Sequence, residues 1–362
     1  MPWTSTPSSR RRTHPPDPPA VRRHRANPAR RFPCTRGDTM MKKLISSLFL
    51  CSAAILATAA HAAGYPQRAI RIIVPFAAGG ITDVMGRTIA SHLSAELGQP
   101  VIVENRPGAS GMIGCEAAAK AEPDGYTLLM AGIAPLGTNP VMYRQIRYDP
   151  VQSYEHIGLV AKQPLVVVVS KAVPAGSIQE LAAYLKKRPQ GDMFYGTSGS
   201  SYQLITEAFN AQLGVKMTHV PFKGTTPAIE AMLGGQIGFM IDPYSTMGAL
   251  VKAGKVKALA LTAETRSDAA PELPTVIEEG MPGFEASSWQ GLLAPAGTPR
   301  EIVQTLNAAL VRILASDEIK RNFAASGVQP SPSSPEEFRR FIVAENQRWK
   351  QVAAASGIQP QD

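Results

Sequence analysis

The sequence predicts an α/β protein with parallel sheets that carry helices on both faces. Three observations support this fold class. Apolar runs and helical patterns alternate almost throughout the chain after residue 62. Several helices have recognisable starts, such as the capping box at residues 177–180 and the Thr-Pro or Ser-Pro pairs that begin at 226, 298 and 334. The chain after residue 62 is about 300 residues long, which favours two domains over one.

The first predicted strand and helix enclose a glycine loop. The apolar run from Ile70 to Val74 indicates a buried strand, and residues 84–97 have the apolar stripe of a helix. The intervening loop, residues 75–83, contains adjacent glycines and offers Thr82 or Asp83 as the helix cap. Glycines let a backbone approach a ligand closely, and free N–H groups at a helix start bind anions. The loop is therefore either a cradle for a small carboxylate or an ordinary tight turn.

Seven further apolar runs predict strands, at residues 101–104, 126–131, 164–170, 193–196, 215–220, 236–241 and 256–262. Three more loops rich in small and polar residues precede predicted helices, at residues 104–111, 196–201 and 221–226. In open α/β sheets, ligands bind where loops meet the carboxyl ends of strands. Because two of the four loops fall in each half of the chain, they fit a cleft between two similar lobes.

Residues 41–62 have the pattern of a secretory signal peptide. A Met-Lys-Lys start is followed by an apolar run over residues 44–58 and by an Ala-His-Ala cleavage motif. The apolar run is too short for a comfortable membrane span. We therefore expect cleavage after Ala62 and a mature protein in the periplasm.

Residues 1–40 are rich in Arg, Pro and Ser and lack hydrophobic periodicity. This composition indicates either a disordered extension or a start codon assigned too early. Met1, Met40 and Met41 are therefore all candidates for the first residue of the protein. Residues 1–62 hold eleven Lys and Arg and two Asp, which account for the whole formal charge of +9. The rest of the chain carries 26 basic and 26 acidic residues. Charge therefore predicts no nucleic-acid or membrane-surface partner.

Catalytic and metal chemistry find little support in the sequence. The glycine loops have neither phosphate-loop nor dinucleotide-binding spacing. His92, His156 and His219 lack metal-ligand spacing, and Cys115, the only cysteine after residue 62, is expected to pack in the core. Residues 196–200 nearly spell G-x-S-x-G, but Ser200 stands where glycine is needed. We predict no enzyme, metal or cofactor, with an exported hydrolase as an alternative because triads form in space.

Three side chains each have two interpretations. Lys223, the cation inside a candidate loop, is either a solvated surface lysine or a ligand contact. Asp242 either contacts a polar group of the ligand or caps the helix that follows it. Trp289 is expected to anchor a core or hinge rather than to form a binding platform.

Six ordered fragments run through the chain: PFAAGGITD (75–83), GQPVIVENRPGA (98–109), DGYTLL (124–129), VPFKG (220–224), GGQ (234–236) and WQGLLAPAGTP (289–299). Together they resemble the tripartite tricarboxylate transporter substrate-binding receptors, the Bug family of bacterial periplasmic proteins. The resemblance is nearly end to end after the leader. It departs at Phe222, where the family often has Tyr, and at Cys115, where it often has Ala or Ser.

The resemblance implies a type II periplasmic-binding-protein fold, with two doubly wound α/β lobes joined by two crossover strands around a ligand cleft. It places the crossovers near residues 160–164 and 287–293. The expected lobes are then residues 66–163 with 288–362, and residues 164–287.

The implied activity is the capture of a small carboxylate and its delivery to integral-membrane transporter subunits. Di- and tricarboxylates, acidic amino acids and aromatic acids are all candidate ligands. We expect a monomer, and a receptor that feeds a sensor kinase is the alternative. In the family, loops that match residues 76–83 and 198–201 grip the ligand through main-chain amides and ordered water. The predicted ligand contacts are Phe76, Ala77, Ala78, Gly79, Gly80, Thr82, Asp83, Ile133, Ser198, Gly199, Ser200, Ser201, Lys223, Gly224, Thr225 and Asp242.

Overall fold

Ten strands form one mixed sheet in the computed structural model, which describes residues 64–222, 224–325 and 327–361. The strand order is β2-β1-β3-β9-β4-β7-β5-β6, with β8 and β10 both paired to β4. The predicted signal peptide, its cleavage site, residues 1–40 and Lys223 lie outside the described residues. The strands are β1 (Ile70–Val74), β2 (Val101–Asn105), β3 (Thr127–Gly132), β4 (Tyr154–Val169), β5 (Phe194–Thr197), β6 (Thr218–Pro221), β7 (Phe239–Pro243), β8 (Lys257–Leu261), β9 (Ser287–Pro295) and β10 (Gln329–Pro330).

Helices connect most of these strands, as the alternating pattern of the sequence predicts. Within the described residues they are α1 (Ile81–Leu97), α2 (Met112–Ala119), α3 (Asn139–Met142), α4 (Ile178–Lys186), α5 (Ser200–Leu213), α6 (Thr225–Leu233), α7 (Tyr244–Lys252), α8 (Arg300–Ala315), α9 (Asp317–Ala325) and α10 (Pro335–Ala355). A 3₁₀ turn (Ala109–Gly111) precedes α2, and a π-helical segment (Ala134–Thr138) precedes α3. None of the helices in the described ranges is long and apolar enough to cross a bilayer.

Two long strands make the sheet mixed rather than purely parallel. The outer strands pair in parallel, β1 with β2 and β3, and β5 with β6 and β7. By contrast, β9 runs antiparallel to β3 and β4, and β4 also runs antiparallel to β7. The sheet is therefore built from two parallel groups that meet at an antiparallel centre.

The central strand β4 is much longer than predicted. The sequence predicts a strand over residues 164–170, whereas β4 begins at Tyr154. Glu155, Gly158 and Lys162 interrupt the apolar run in its first half, and the pairing with β9 shifts register twice there. Up to Pro164 the strand pairs with β9, and from there onward it pairs with β7 and β8. The prediction therefore missed the first half of β4. Pairing with neighbouring strands, and not an apolar pattern in its own sequence, keeps this half extended.

One capping box was predicted, at residues 177–180, and it is only half formed, whereas the predicted Ser-Pro start at residue 334 has a complete one. The Ser334 hydroxyl accepts a hydrogen bond from the Glu337 N–H, and the Glu337 carboxylate accepts one from the Ser334 N–H. At α4, the Ser177 hydroxyl accepts from the Glu180 N–H at 3.1 Å, but the Glu180 carboxylate binds the N–H of Gly176 instead. Both helices thus begin where the sequence predicts.

Trp289 on β9 anchors the core, as the sequence analysis expects. Its side chain is 1% exposed, and its Nε1 donates to Oε2 of Glu345 on α10 at 2.9 Å. The same carboxylate oxygen accepts from Nε1 of Trp349 at 3.1 Å, and Glu345 is itself 8% exposed. One buried carboxylate therefore satisfies two indole N–H groups and ties β9 to α10.

Replacing Glu345 by leucine is expected to lower the free energy of unfolding by about 2–4 kcal/mol, since a buried donor left without its acceptor costs about 1–3 kcal/mol. Urea unfolding at pH 7 measures the change. Gln351→Leu, on an exposed position of the same helix, is the control and is expected to change stability little. Equal losses in the two variants would contradict the role given to Glu345.

Candidate functional site

A cavity of about 480 Å³ lies where several strands end and several helices begin. It is lined by residues that follow β1, β3 and β5, by the first residues of α1, α5 and α6, and by two residues of β9. Among the described residues that line it, none carries a charged side chain. This is the position at which open α/β sheets bind ligands, and its volume suits a small organic molecule.

Three helices begin at the cavity without a side-chain cap. The N-caps of α1, α5 and α6 are Gly80, Gly199 and Gly224, and none of these helices has a side-chain hydrogen bond at its cap. The first-turn N–H groups of an uncapped helix have no partner within the helix and carry its partial positive charge. The predicted caps Thr82 or Asp83 for α1, and the predicted start at the Thr-Pro pair for α6, are therefore wrong. Glycine caps leave these N–H groups available to an anion.

The glycine loop before α1 is held in place by an acidic and an amide side chain. The Asp83 carboxylate accepts from the Gly79 N–H at 2.9 Å, from Nε of Arg87 at 3.0 Å and from Nδ2 of Asn105 at 2.8 Å. The same Asn105 amide donates to the Phe76 carbonyl at 3.1 Å. Burial opposes ionisation of Asp83, but these hydrogen bonds hold its pKa below the ordinary value. Asp83 therefore positions the loop instead of capping the helix.

A second aspartate lies behind the hydroxyl groups of the opposite wall. Asp242 is 0% exposed, and its carboxylate accepts from the hydroxyls of Ser198 at 2.9 Å and Thr246 at 2.8 Å. The Thr225 hydroxyl is at 3.5 Å, which is too long for a strong hydrogen bond. Burial raises the pKa of Asp242 to about 6, against the opposing effect of these hydrogen bonds. Because Ser198 donates its proton to Asp242, its oxygen is left as an acceptor at the cavity.

The start of α5 is also tied to the π-helical segment. Oγ of Ser201 and Oγ1 of Thr138 are 2.8 Å apart, and both residues are buried. This hydroxyl pair fixes the first turn of α5 against the wall formed by residues 133–135, which also line the cavity. With the Ser201 and Ser198 hydroxyls both engaged by protein groups, the backbone N–H groups of this turn and the Ser200 hydroxyl, which also lines the cavity, can donate to a ligand.

The structure brings most of the predicted ligand contacts together at this cavity. Those that line it are Phe76, Gly80, Thr82, Ile133, Ser198, Gly199, Ser200, Ser201 and Thr225. Six others are not among the lining residues: Asp83 and Asp242 are buried, Gly224 is half-buried, and Ala77, Ala78 and Gly79 are exposed. The lining also contains residues that the sequence analysis did not select, namely Ile81, Ser110, Gly132, Ala134, Pro135, Tyr202, Ser288 and Gln290.

One signal could have identified two of these missed residues. Ser288 and Gln290 are two apart on a strand, so their side chains share a face. The sequence analysis expects a crossover near residues 287–293, and polar side chains on one face of a crossover strand point to a cleft. Gly132 and its neighbours had no such signal.

A second cavity of about 580 Å³ has a different character. Its lining includes Glu155, Glu336, Arg300, Arg339 and His156, so that charges of both signs meet there. Burial lowers the pKa of His156 to about 4. This cavity contains none of the predicted ligand contacts, and we place the candidate site at the first cavity.

The side chains near the first cavity have hydrogen-bond partners that bear on the hydrolase alternative. Within the described ranges, no group of three or more His, Cys, Asp or Glu could hold a metal ion. Ser198 is hydrogen-bonded to a carboxylate and not to an imidazole, while Nε2 of His219 lies 2.7 Å from the Thr197 hydroxyl. Cys115 is buried, and burial raises the pKa of its thiol, as expected for inert core packing.

Comparison with known proteins identifies relatives along most of the chain. Residues 85–358 match the family model described as tripartite tricarboxylate transporter family receptor. The chain is 37% identical to protein BugT of Bordetella pertussis over 316 residues. The aligned residues make up 86% of this chain and 96% of the relative.

Solved structures give the same picture. The protein Rpa4515 of Rhodopseudomonas palustris, solved with adipate, is 37% identical, with a TM-score of 0.73 over 82% of this chain and 100% of its own. MatC from the same organism, solved with bound malate, is 31% identical, with a TM-score of 0.69 over 80% of this chain and 99% of its own. These likenesses confirm the predicted type II periplasmic-binding-protein fold.

Proposed function

Because the chain belongs to the tripartite tricarboxylate transporter receptor family, we propose that it is a periplasmic receptor that captures a small carboxylate and delivers it to a membrane transporter of that type. The family is one of solute-binding receptors, which supports a binding role without catalysis. The predicted signal peptide at residues 41–62 supports a periplasmic location. The expected lobes, residues 66–163 with 288–362 and residues 164–287, would be the two bodies that close on the ligand.

The observation that carries this proposal is the meeting of three uncapped helix starts at a cavity whose described lining residues are all uncharged. A helix N-terminus stabilises a nearby anion by about 0.3–1 kcal/mol, and by about 2 kcal/mol when partly buried. Each hydrogen bond to a charged acceptor adds about 1.5–3 kcal/mol. A few such contacts reach the roughly 8 kcal/mol that micromolar binding requires.

The relatives support a carboxylate as ligand. Two neighbours with the same fold were solved with adipate and with malate, which are both dicarboxylates. A cavity of about 480 Å³ has room for acids of this size. Dicarboxylates are therefore the first ligands to test, ahead of acidic amino acids and aromatic acids.

A thermal-shift screen tests the proposed function. Succinate, malate, adipate, citrate, glutamate and benzoate are each added to the purified protein at millimolar concentration. A ligand present at 100 times its Kd stabilises the folded state by about 2.7 kcal/mol, which we expect to raise the melting midpoint by about 5 °C. The neutral diamide of each diacid is the matched control and is expected to give no shift. A flat response to every acid would contradict the proposal.

A further inference from the structure

Asp242 is a buried carboxylate that a single hydroxyl group separates from the cavity. The residue lies near the end of β7 and is 0% exposed. Its Oδ2 accepts from Oγ of Ser198 at 2.9 Å, and its Oδ1 lies 2.8 Å from Oγ1 of Thr246. Because Ser198 lines the cavity, an anion bound there would face Asp242 across this hydroxyl.

The hydroxyl of Thr246 has one proton but two acceptor neighbours. Its oxygen lies 2.8 Å from Oδ1 of Asp242 and 2.7 Å from the Pro243 carbonyl oxygen. Both distances are typical of full O–H···O hydrogen bonds, and each such bond needs its own proton. With Asp242 ionised, the Thr246 proton completes only one of the two contacts. With a proton on Oδ1, Asp242 donates to Thr246 and Thr246 donates to Pro243, so the cluster has a place for one more proton.

Among the described residues, no charged side chain lies close enough to Asp242 to affect its pKa. Val166 of β4 pairs with it in the sheet, and α6 contributes the Thr225 hydroxyl at 3.5 Å. On α5, burial and the Asp242 charge together raise the pKa of Tyr202, so this phenol stays protonated at neutral pH. Burial raises the pKa of Asp242 itself to about 6, against the opposing effect of its hydroxyl neighbours. Asp242 is therefore able to exchange a proton near neutral pH.

An anion in the cavity binds more favourably beside a neutral Asp242 than beside an ionised one. At a separation of about 6 Å and an effective dielectric constant of about 20, a unit negative charge raises the proton affinity of a carboxyl about 100-fold. The coupling is reciprocal, so a proton on Asp242 raises the affinity for the anion by the same factor. The uncapped helix starts hold the anion, and the proton removes a negative charge from the wall behind Ser198.

Resting on the proposed receptor function, we infer that Asp242 is the binding site of a proton that the protein takes up together with each acid anion. The proton comes from the solvent, lies on Oδ1 of Asp242 in its hydrogen bond to Thr246, and returns to the solvent when the anion leaves. The liganded form holds the proton more tightly than the free form. Affinity for the anion therefore falls as the pH rises from about 6 through the higher pKa of the liganded carboxyl.

Calorimetric titration in buffers of different ionisation enthalpy measures the protons taken up on binding. Adipate and malate are the probes, because their carboxylates are ionised above pH 6.5. We expect an uptake of about 0.8 proton per acid bound at pH 7. The Kd of each acid should rise at least about 10-fold between pH 6.5 and pH 8.5.

Asp242→Asn imitates the protonated side chain, since its amide can donate to Thr246 and accept from Ser198. At pH 8.5 the variant should bind adipate within about 5-fold of the wild-type affinity at pH 6.5, and its proton uptake should be close to zero. His219→Gln is the control. Burial lowers the pKa of His219, on β6, so this histidine is neutral at pH 7 and its replacement should leave the proton uptake unchanged.

The other outcomes overturn the inference in distinguishable ways. Acid binding without proton uptake by the wild type, or equal uptake by Asp242→Asn, would show that Asp242 holds no ligand-linked proton while leaving the receptor function intact. Loss of the uptake in His219→Gln would assign the proton to the histidine. Binding of neither acid to the wild-type protein would remove the proposed carboxylate capture as well.

A second measurement decides the matter if Asp242→Asn does not fold. Difference infrared spectroscopy of the wild-type protein compares the free and adipate-bound forms at pH 7.5. The C=O stretch of a protonated carboxyl should appear on binding, because the free form is mostly ionised at this pH. Its absence from the spectrum of the bound protein would contradict the proton on Asp242.

Discussion

Replacing Gly80 by aspartate is expected to weaken carboxylate binding at least about 100-fold while leaving the fold intact, because the new carboxylate repels the ligand. A 100-fold loss corresponds to about 2.7 kcal/mol of binding free energy. Two unit charges about 4 Å apart repel by about 4 kcal/mol at an effective dielectric constant of 20. A carboxylate at the N-cap of α1 would occupy the part of the cavity where the helix start faces the ligand. The repulsion is therefore large enough for the predicted loss.

The backbone at Gly80 accepts a side chain without strain. Its φ of −74° and ψ of 166° are extended values that any residue adopts. The nearest atom to a Cβ placed there is the Ala77 carbonyl oxygen at 3.7 Å, an ordinary contact. Aspartate is also among the best N-cap residues. The melting midpoint of Gly80→Asp is thus expected to equal or exceed that of the wild type, which separates lost binding from lost folding.

Gly80→Asn is the matched control, because it has the same shape and also caps a helix but carries no charge. Calorimetric titration with adipate should show a loss of no more than about 5-fold for Asn beside at least about 100-fold for Asp. Equal losses would mean that the side chain blocks the cavity sterically. Unchanged affinity in both variants would show that the start of α1 does not face the ligand.

The local parts of the site could be predicted from the sequence. The strand Ile70–Val74 has its predicted bounds, since a continuous apolar run between polar residues is a local signal. The loops at residues 75–83 and 196–201 both contribute to the cavity, because glycines between a strand and a helix mark a close approach of the backbone.

The parts that depend on long-range pairing could not be predicted. Gly132 and Gln290 meet only because β3 pairs with β9, and they are far apart in the sequence. The helix caps were mispredicted for a related reason. Asp83 is a good N-cap residue in isolation, but in the folded protein its carboxylate is bonded to Arg87 on the same helix and to Asn105 at the end of β2, which only the fold brings next to it.

Replacing Asp242 by asparagine is expected to remove a pH-dependent loss of stability of about 3 kcal/mol between pH 4 and pH 8. Burial raises the pKa of this carboxyl in the folded state from its ordinary 3.8 to about 6. The folded protein therefore holds the proton more tightly than the unfolded chain does. The stabilisation from Asp242 is fully present below pH 3.8 and is lost as the pH rises through 6.

Asparagine keeps the shape of the side chain, and its amide can still bond to the Ser198 and Thr246 hydroxyls, but it does not titrate. In urea unfolding from pH 4 to pH 8, the free energy of unfolding of the variant should therefore rise by about 3 kcal/mol relative to that of the wild type. Asp268→Asn, on an exposed aspartate, is the control for the loss of a surface carboxylate and should have nearly the stability of the wild type. A difference between Asp242→Asn and wild type that stays constant with pH would contradict the raised pKa. If Asp242→Asn is more stable than the wild type at pH 8, the buried charge of Asp242 lowers the stability of the wild-type fold. Such a cost is expected of a residue that is retained to orient the Ser198 hydroxyl at the cavity.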